Sequence, residues 1–167
     1  MEIDRVSAQI LRSLLGDEPD PKPAPQRKDE PGNADHWSPA VLLERAAYLR
    51  KMAKFGDGSA SETLKEYPQH CAMLSFRSRS GEAEVHERFA DLFVVLAGTA
   101  TLVTGGTVLG AHTVSPGETN GDSIEGGTHR ELRSGEIVHI PAGTPHQFLV
   151  SADKSVACFV VKIQEAA

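Results

Sequence analysis

Two clusters in the second half of this sequence have the residue types and spacing to hold a metal ion. The first is Glu84-Val-His86, followed five residues later by Asp91. Alternate residues of a strand face the same side, so Glu84 and His86 share a face, and Asp91 shares one with Phe93 and Val95 on the next strand. A turn at 87–90 would bring both faces to one interior. A carboxylate, an imidazole and a second carboxylate would then converge between apolar walls. Buried carboxylates are costly unless paired or metal-bound. Imidazole with carboxylate suits zinc, iron, nickel, cobalt or manganese.

The second cluster is Gly135-Glu-Ile-Val-His-Ile-Pro141-Ala-Gly143-Thr-Pro145-His146-Gln-Phe148. Its glycines and prolines shape a tight strand-turn-strand. His146 opens the second strand and can face inward toward the first cluster. The expected ligand set is therefore Glu84, His86, Asp91 and His146 around one divalent ion: zinc, iron, nickel or manganese. Glu84 could alternatively move a proton, and His129, leading out of a long loop, is a second candidate for acid–base work. His139 shares a face with Ile137 and is expected to pack or hydrogen-bond, and His112 lies in the loop. Arg77, Arg79 and Arg88 flank the first cluster; one could hold an anionic substrate, with solvated charge as the plain alternative.

The elements that must position these groups are short, β-rich and punctuated by glycine and proline from Cys71 onward. Strands are expected near 71–79, 83–88, 90–97, 99–104, 128–133, 136–140, 145–151 and 155–163, a pattern of sandwiches and barrels. Several runs are apolar on both faces, which calls for a cover of helices or a second subunit. Residues 105–127 carry seven of the fifteen glycines and are expected to form a long loop, a candidate lid over the cavity mouth. Upstream, Ser38-Pro39 looks like a helix start, followed by Val41, Leu42, Ala46, Leu49 and Met52 at helical spacing and stopped by Gly56 and Gly58. Residues 59–66 are expected to add a helical turn. Residues 3–15 form a short amphipathic pattern, and 17–33, with five of the ten prolines, a linker.

Both clusters resemble the two motifs of the cupin superfamily. The second is complete in Gly135, Pro141, Gly143 and His146, with Val150 where the family closes on Asn. The first is partly substituted: Glu84 and His86 stand for the family's paired histidines, Asp91 for its glutamate, and Gly98 is its closing glycine. The resemblance covers residues 71–163. It implies a mainly β, cupin-type double-stranded β-helix (jelly-roll) barrel with N-terminal helical segments, and a metal held at these four positions. The expected organisation is an N-terminal helix and linker over 1–36, a helical segment packing on the barrel over 37–70, and the barrel over 71–167.

The chain has 167 residues and a net charge of −6, with no basic stripe, which argues against nucleic acid and against an anionic membrane surface. Its longest apolar runs, such as 92–97, are far short of the about 20 residues of a membrane helix. The opening Met-Glu-Ile-Asp lacks a secretory start, and Cys71 and Cys158 sit in apolar runs as free buried thiols, so a cytoplasmic location is expected. The outward-facing Leu92, Val94 and Leu96 point to a homodimer. The expected function is that of a metal-dependent enzyme acting on a small polar organic molecule by isomerase, lyase, dioxygenase or hydrolase chemistry. The competing expectation is a non-catalytic cupin that binds or senses a small ligand.

Overall fold

The computed structural model describes residues 34–165, and the chain divides between Asp35 and His36. The expected helix at 3–15 and linker at 17–33 lie outside the described residues. Helix α1 spans Pro39–Ala53. The Ser38 hydroxyl accepts from the Val41 amide at 3.3 Å, Pro39 occupies the first turn, and Arg50 and Lys51 place positive charge in the last. Leu42, Ala46, Leu49 and Ala53 form its buried stripe.

Twelve strands follow among the described residues. β1 (Ser59–Glu66), β2 (His70–Arg77), β12 (Val156–Gln164), the first half of β4 (Phe89–Thr104) and β10 (Ile137–Ile140) make one curved face of the barrel. The second half of β4, with β9 (Thr128–Arg133), β11 (His146–Leu149), β3 (Ala83–His86), β7 (Glu118–Gly121) and β6 (His112–Ser115), makes the other. β5 (Thr107–Leu109) and β8 (Ser123–Glu125) pair separately.

β4 runs through both faces without a break, where the sequence suggests two strands. Gly98 is the reason. It has φ +80°, and a Cβ there would lie 1.9 Å from the Ser155 carbonyl oxygen, so only glycine allows β4 to bend against β12 at this point. The register of β12 on β4 also shifts there, between Ala157 and Cys158.

Two other expectations are overturned. Residues 59–66 are not a helical turn but strand β1, paired antiparallel with β2 from Ser59↔Arg77 to Glu66↔Cys71. The sheet edge supplies hydrogen bonds that override the helix-forming Glu, Leu and Lys of this stretch. Residues 105–127 are not a structureless loop. They fold into the β5/β8 and β6/β7 ladders, and β7 joins the barrel by pairing with β3. Pro116 and all of the segment's glycines but Gly121, which ends β7, fall at the turns between these short strands.

Two apolar layers result. Inside the barrel lie Phe93, Val95, Leu102, Leu132, Ile140, Phe148, Val150 and Val160. Outside, α1 covers Leu74, Phe76, Ala157 and Phe159, with Leu96 and Trp37 packed at the margin. The Arg45–Glu62 ion pair ties α1 to β1. Of the outward-facing leucines and valine on β4, α1 thus reaches Leu96. Leu92 and Val94 stay half-buried beside Ile137, which is 63 % exposed. Among the described residues no helix is long and apolar enough to cross a membrane.

Candidate metal centre

Strand register brings the polar groups together. His146 sits directly opposite Glu84 on the β11/β3 ladder, and Glu118 opposite His86 on β3/β7. Lys162 sits opposite Asp91 on β12/β4. The turn of the second motif pins the first, because the Gly143 amide donates to the His86 carbonyl at 2.7 Å. Four of these side chains meet inside. His86 Nε2 lies 3.4 Å from Asp91 Oδ2 and 3.6 Å from Glu84 Oε2. His146 Nε2 lies 3.6 Å from Asp91 Oδ2 and 3.8 Å from Glu84 Oε2. The imidazole rings are tilted, with centroids 5.2 Å apart.

At 3.4–3.8 Å these separations lie beyond the usual hydrogen-bond range of about 2.7–3.2 Å. They match the spacing of ligands around an ion: two atoms each about 2.1 Å from a tetrahedral zinc stand about 3.4 Å apart. The far nitrogens support the same reading. The Nδ1–H of His146 donates to the Thr144 carbonyl at 3.1 Å, which leaves Nε2 as a lone pair. That Nε2 is buried and has no hydrogen-bond partner among the described residues, an orphan that a metal would satisfy. His86 Nδ1 is bonded to the Glu118 carboxylate, so its Nε2 also turns inward as an acceptor when the ring is neutral. Glu84, His86 and His146 each offer an atom within 4.8 Å of the others and form a group able to hold a metal ion. Asp91 stands against both imidazoles. It is only 3 % exposed and is shared with Lys162, whose Nζ lies 3.0 Å from Oδ1 and donates to Oδ2 at 3.4 Å.

The electrostatics divide the groups. Burial pushes the Glu84 carboxyl up, but the close His86, the Arg77 guanidinium at 3.2 Å and His146 outweigh it and hold the group at about 2. Glu84 therefore keeps its charge across neutral pH, as a ligand should, and is a poor proton acceptor. His86 is lowered by burial and by Lys162, yet Glu84, Asp91 and Glu118 raise it above the ordinary histidine value. His146 is pulled below that value, chiefly by burial. Burial also pushes the Cys158 thiol up to about 12.

The remaining candidates lie elsewhere. His129 is exposed on β9, paired with Val103, and does not line the cavity, so no geometry supports acid–base work there. His139 is exposed on β10 rather than packed, because β10 turns that face to solvent. His112 is exposed, with Nδ1 3.2 Å from the Gly110 carbonyl. Arg79 and Arg88 do not line the cavity, whereas Arg77 does. Glu118 and Lys162 were missed. Lys162 carried a signal, since it continues the inward alternation of Val156, Cys158 and Val160. Glu118 carried none, because its place depends on a β7 pairing that the glycine-rich texture conceals.

No family model and no curated protein matches this chain. Solved structures do. A protein of Thermus thermophilus described as TT1209 superposes with a TM-score of 0.51 at 17 % identity, covering 74 % of this chain and 95 % of its own. The fold is that of the cupins. KdgF from Halomonas sp. (TM-score 0.45, 18 % identity, 66 % of this chain and 84 % of that one) is also similar. So is the Schizosaccharomyces pombe Cnp3 cupin domain (TM-score 0.45, 13 % identity, 64 % and 60 %). At these identities the likeness is one of fold.

Proposed function

We propose that this cupin is a metal-dependent enzyme acting on a small polar organic molecule. The orphaned, buried Nε2 of His146, aimed at the same point as His86 Nε2, Glu84 Oε2 and Asp91 Oδ2, carries this reading. A divalent ion held there would polarise a carbonyl or lower the pKa of bound water. The chain's own residues do the rest. Glu118 and the Thr144 carbonyl fix the tautomers of the two imidazoles. Lys162 and Arg77 hold the carboxylates of Asp91 and Glu84 from behind. Phe93, Phe148, Val156 and Val160 wall the cavity and keep water from the reacting atoms. The cavity measures about 220 Å³, below the range of drug-sized sites, so the substrate is small.

Elemental analysis of purified protein should find close to one divalent ion per chain. Changing His86 and His146 together to Ala should abolish it, and chelation should lower the wild-type melting temperature. A folded wild type that takes up no zinc, iron, nickel or manganese overturns the proposal. Metal without turnover would instead favour a ligand-binding role. We place the protein in the cytoplasm, where its free thiols Cys71 and Cys158 stay reduced. The half-covered strip of Leu92, Val94 and Ile137 would pair two copies, so Ile137→Lys should halve the mass measured in solution.

A further inference from the structure

Two cations enter the cavity from opposite ends of one sheet face. Arg77 ends β2, opposite Val156, while Lys162 lies near the end of β12, opposite Cys71. Each is about a quarter exposed, so each meets both water and the cavity it lines. Each contacts a carboxylate whose other oxygen faces the imidazoles: Arg77 Nη2 on Glu84 Oε1 at 3.2 Å, Lys162 Nζ on Asp91 Oδ1 at 3.0 Å.

The formal charges of these four lining groups cancel. A divalent ion would leave the cavity with two surplus positive charges, or one if Glu118, behind His86, is counted. Uncompensated charge between apolar walls is strongly unfavourable. A ligand that brings negative charge removes the surplus, and one with hydroxyls alone does not.

Arg77 is also seated in advance. A Cβ on Gly81 would lie 2.4 Å from Arg77 Nη1, so the missing side chain is the space that the guanidinium occupies. The seat is firm, because the Gly81 amide donates to the Phe148 carbonyl and its own carbonyl accepts from Gln147 Nε2, both at 2.9 Å. A guanidinium held in this way is preorganised to receive a planar carboxylate.

We infer that the molecule taken by this cavity is a small carboxylate anion, held between Arg77 and Lys162 beside the metal. This rests on the metal reading above, and the test separates the two. The full-length protein, loaded with zinc and assayed for metal content, is titrated calorimetrically with succinate and with its neutral counterpart succinamide. Succinate should bind at least about tenfold more tightly, the worth of one charge-assisted contact. Arg77→Gln and Lys162→Met, each saturated with zinc and assayed to hold one ion per chain before titration, should each erase that preference. Gly81→Ala, which touches neither ligand nor metal, should weaken succinate binding by displacing Arg77 against the flexible end of its side chain. Equal binding of the two probes to protein with one ion per chain overturns the inference and leaves the metal reading standing. So does wild-type preference in both Arg77→Gln and Gly81→Ala. If the chain holds no metal yet prefers succinate through Arg77, the inference stands and the metal reading falls. If it holds no metal and shows no preference, both fall.

Discussion

Along β12, Ala157 and Phe159 turn outward beneath α1, while Val156, Cys158, Val160 and Lys162 turn inward to line the cavity. The same contrast runs through β2, where Leu74 and Phe76 point to the helix and Met73, Ser75 and Arg77 to the cavity. The outer face is a simple apolar layer under a helix. The inner face begins apolar and ends in charged residues, Arg77 and Lys162, paired with the carboxylates of Glu84 and Asp91. One sheet thus divides its duties by side-chain parity: the outward residues serve stability alone, while the inward ones join the barrel core and carry the charged groups of the site.

The sharpest way to break that division is to damage the outer face. Leu74 is fully buried there, so Leu74→Ala should cost about 2–5 kcal/mol in chemical denaturation. The variant should still bind one ion per folded chain. If metal affinity falls in step with stability, the two faces are not separable. On the inner face, Glu118→Gln removes the carboxylate behind His86 and should weaken metal binding by about 10- to 100-fold in a competition assay. Its melting temperature without metal should change far less than that of Leu74→Ala.

The smallest effect should be one of pH. Glu84 is held at about 2, below its ordinary 4.5, so its ionised form favours the folded state. That contribution is complete above 4.5 and fades as pH falls toward 2. Metal-free Glu84→Gln should therefore show a shallower fall of melting temperature with acid than the wild type. Leu74→Ala should keep the wild-type slope from a lower starting point.

Much of this arrangement was legible in the sequence, because it depends on local signals. Short β-rich runs punctuated by glycine and proline located the main strands of the barrel. The spacing of Gly135, Pro141, Gly143 and His146 located a turn that the structure bonds directly to the His86 carbonyl. What was hidden depends on pairing partners rather than on the composition of the segment itself. Ser59–Glu66 has a helix-tolerant composition and becomes a strand only because β2 offers it an edge. The 105–127 segment looked like a loop because its strands are three or four residues long, too short to show periodicity between glycines. Glu118 was lost with it. The fusion of two expected strands into β4 likewise turns on one contact, between Gly98 and Ser155, 57 positions apart.

The strand order of the first face sets the sequence of events when the chain folds. β12 lies between β2 and β4, hydrogen-bonded to both along most of its length. During synthesis from the N-terminus, β2 and β4 emerge with a gap between them that nothing earlier in the chain fills in the finished barrel. Lys162 arrives only with β12, so Asp91 waits for its charge partner until nearly the last described residues have left the ribosome. Pairings this distant make folding slow and leave two apolar edges open meanwhile. The nascent barrel should therefore be most prone to aggregate in the interval before Val156–Gln164 is made, and removal of that strand should prevent folding rather than merely weaken it.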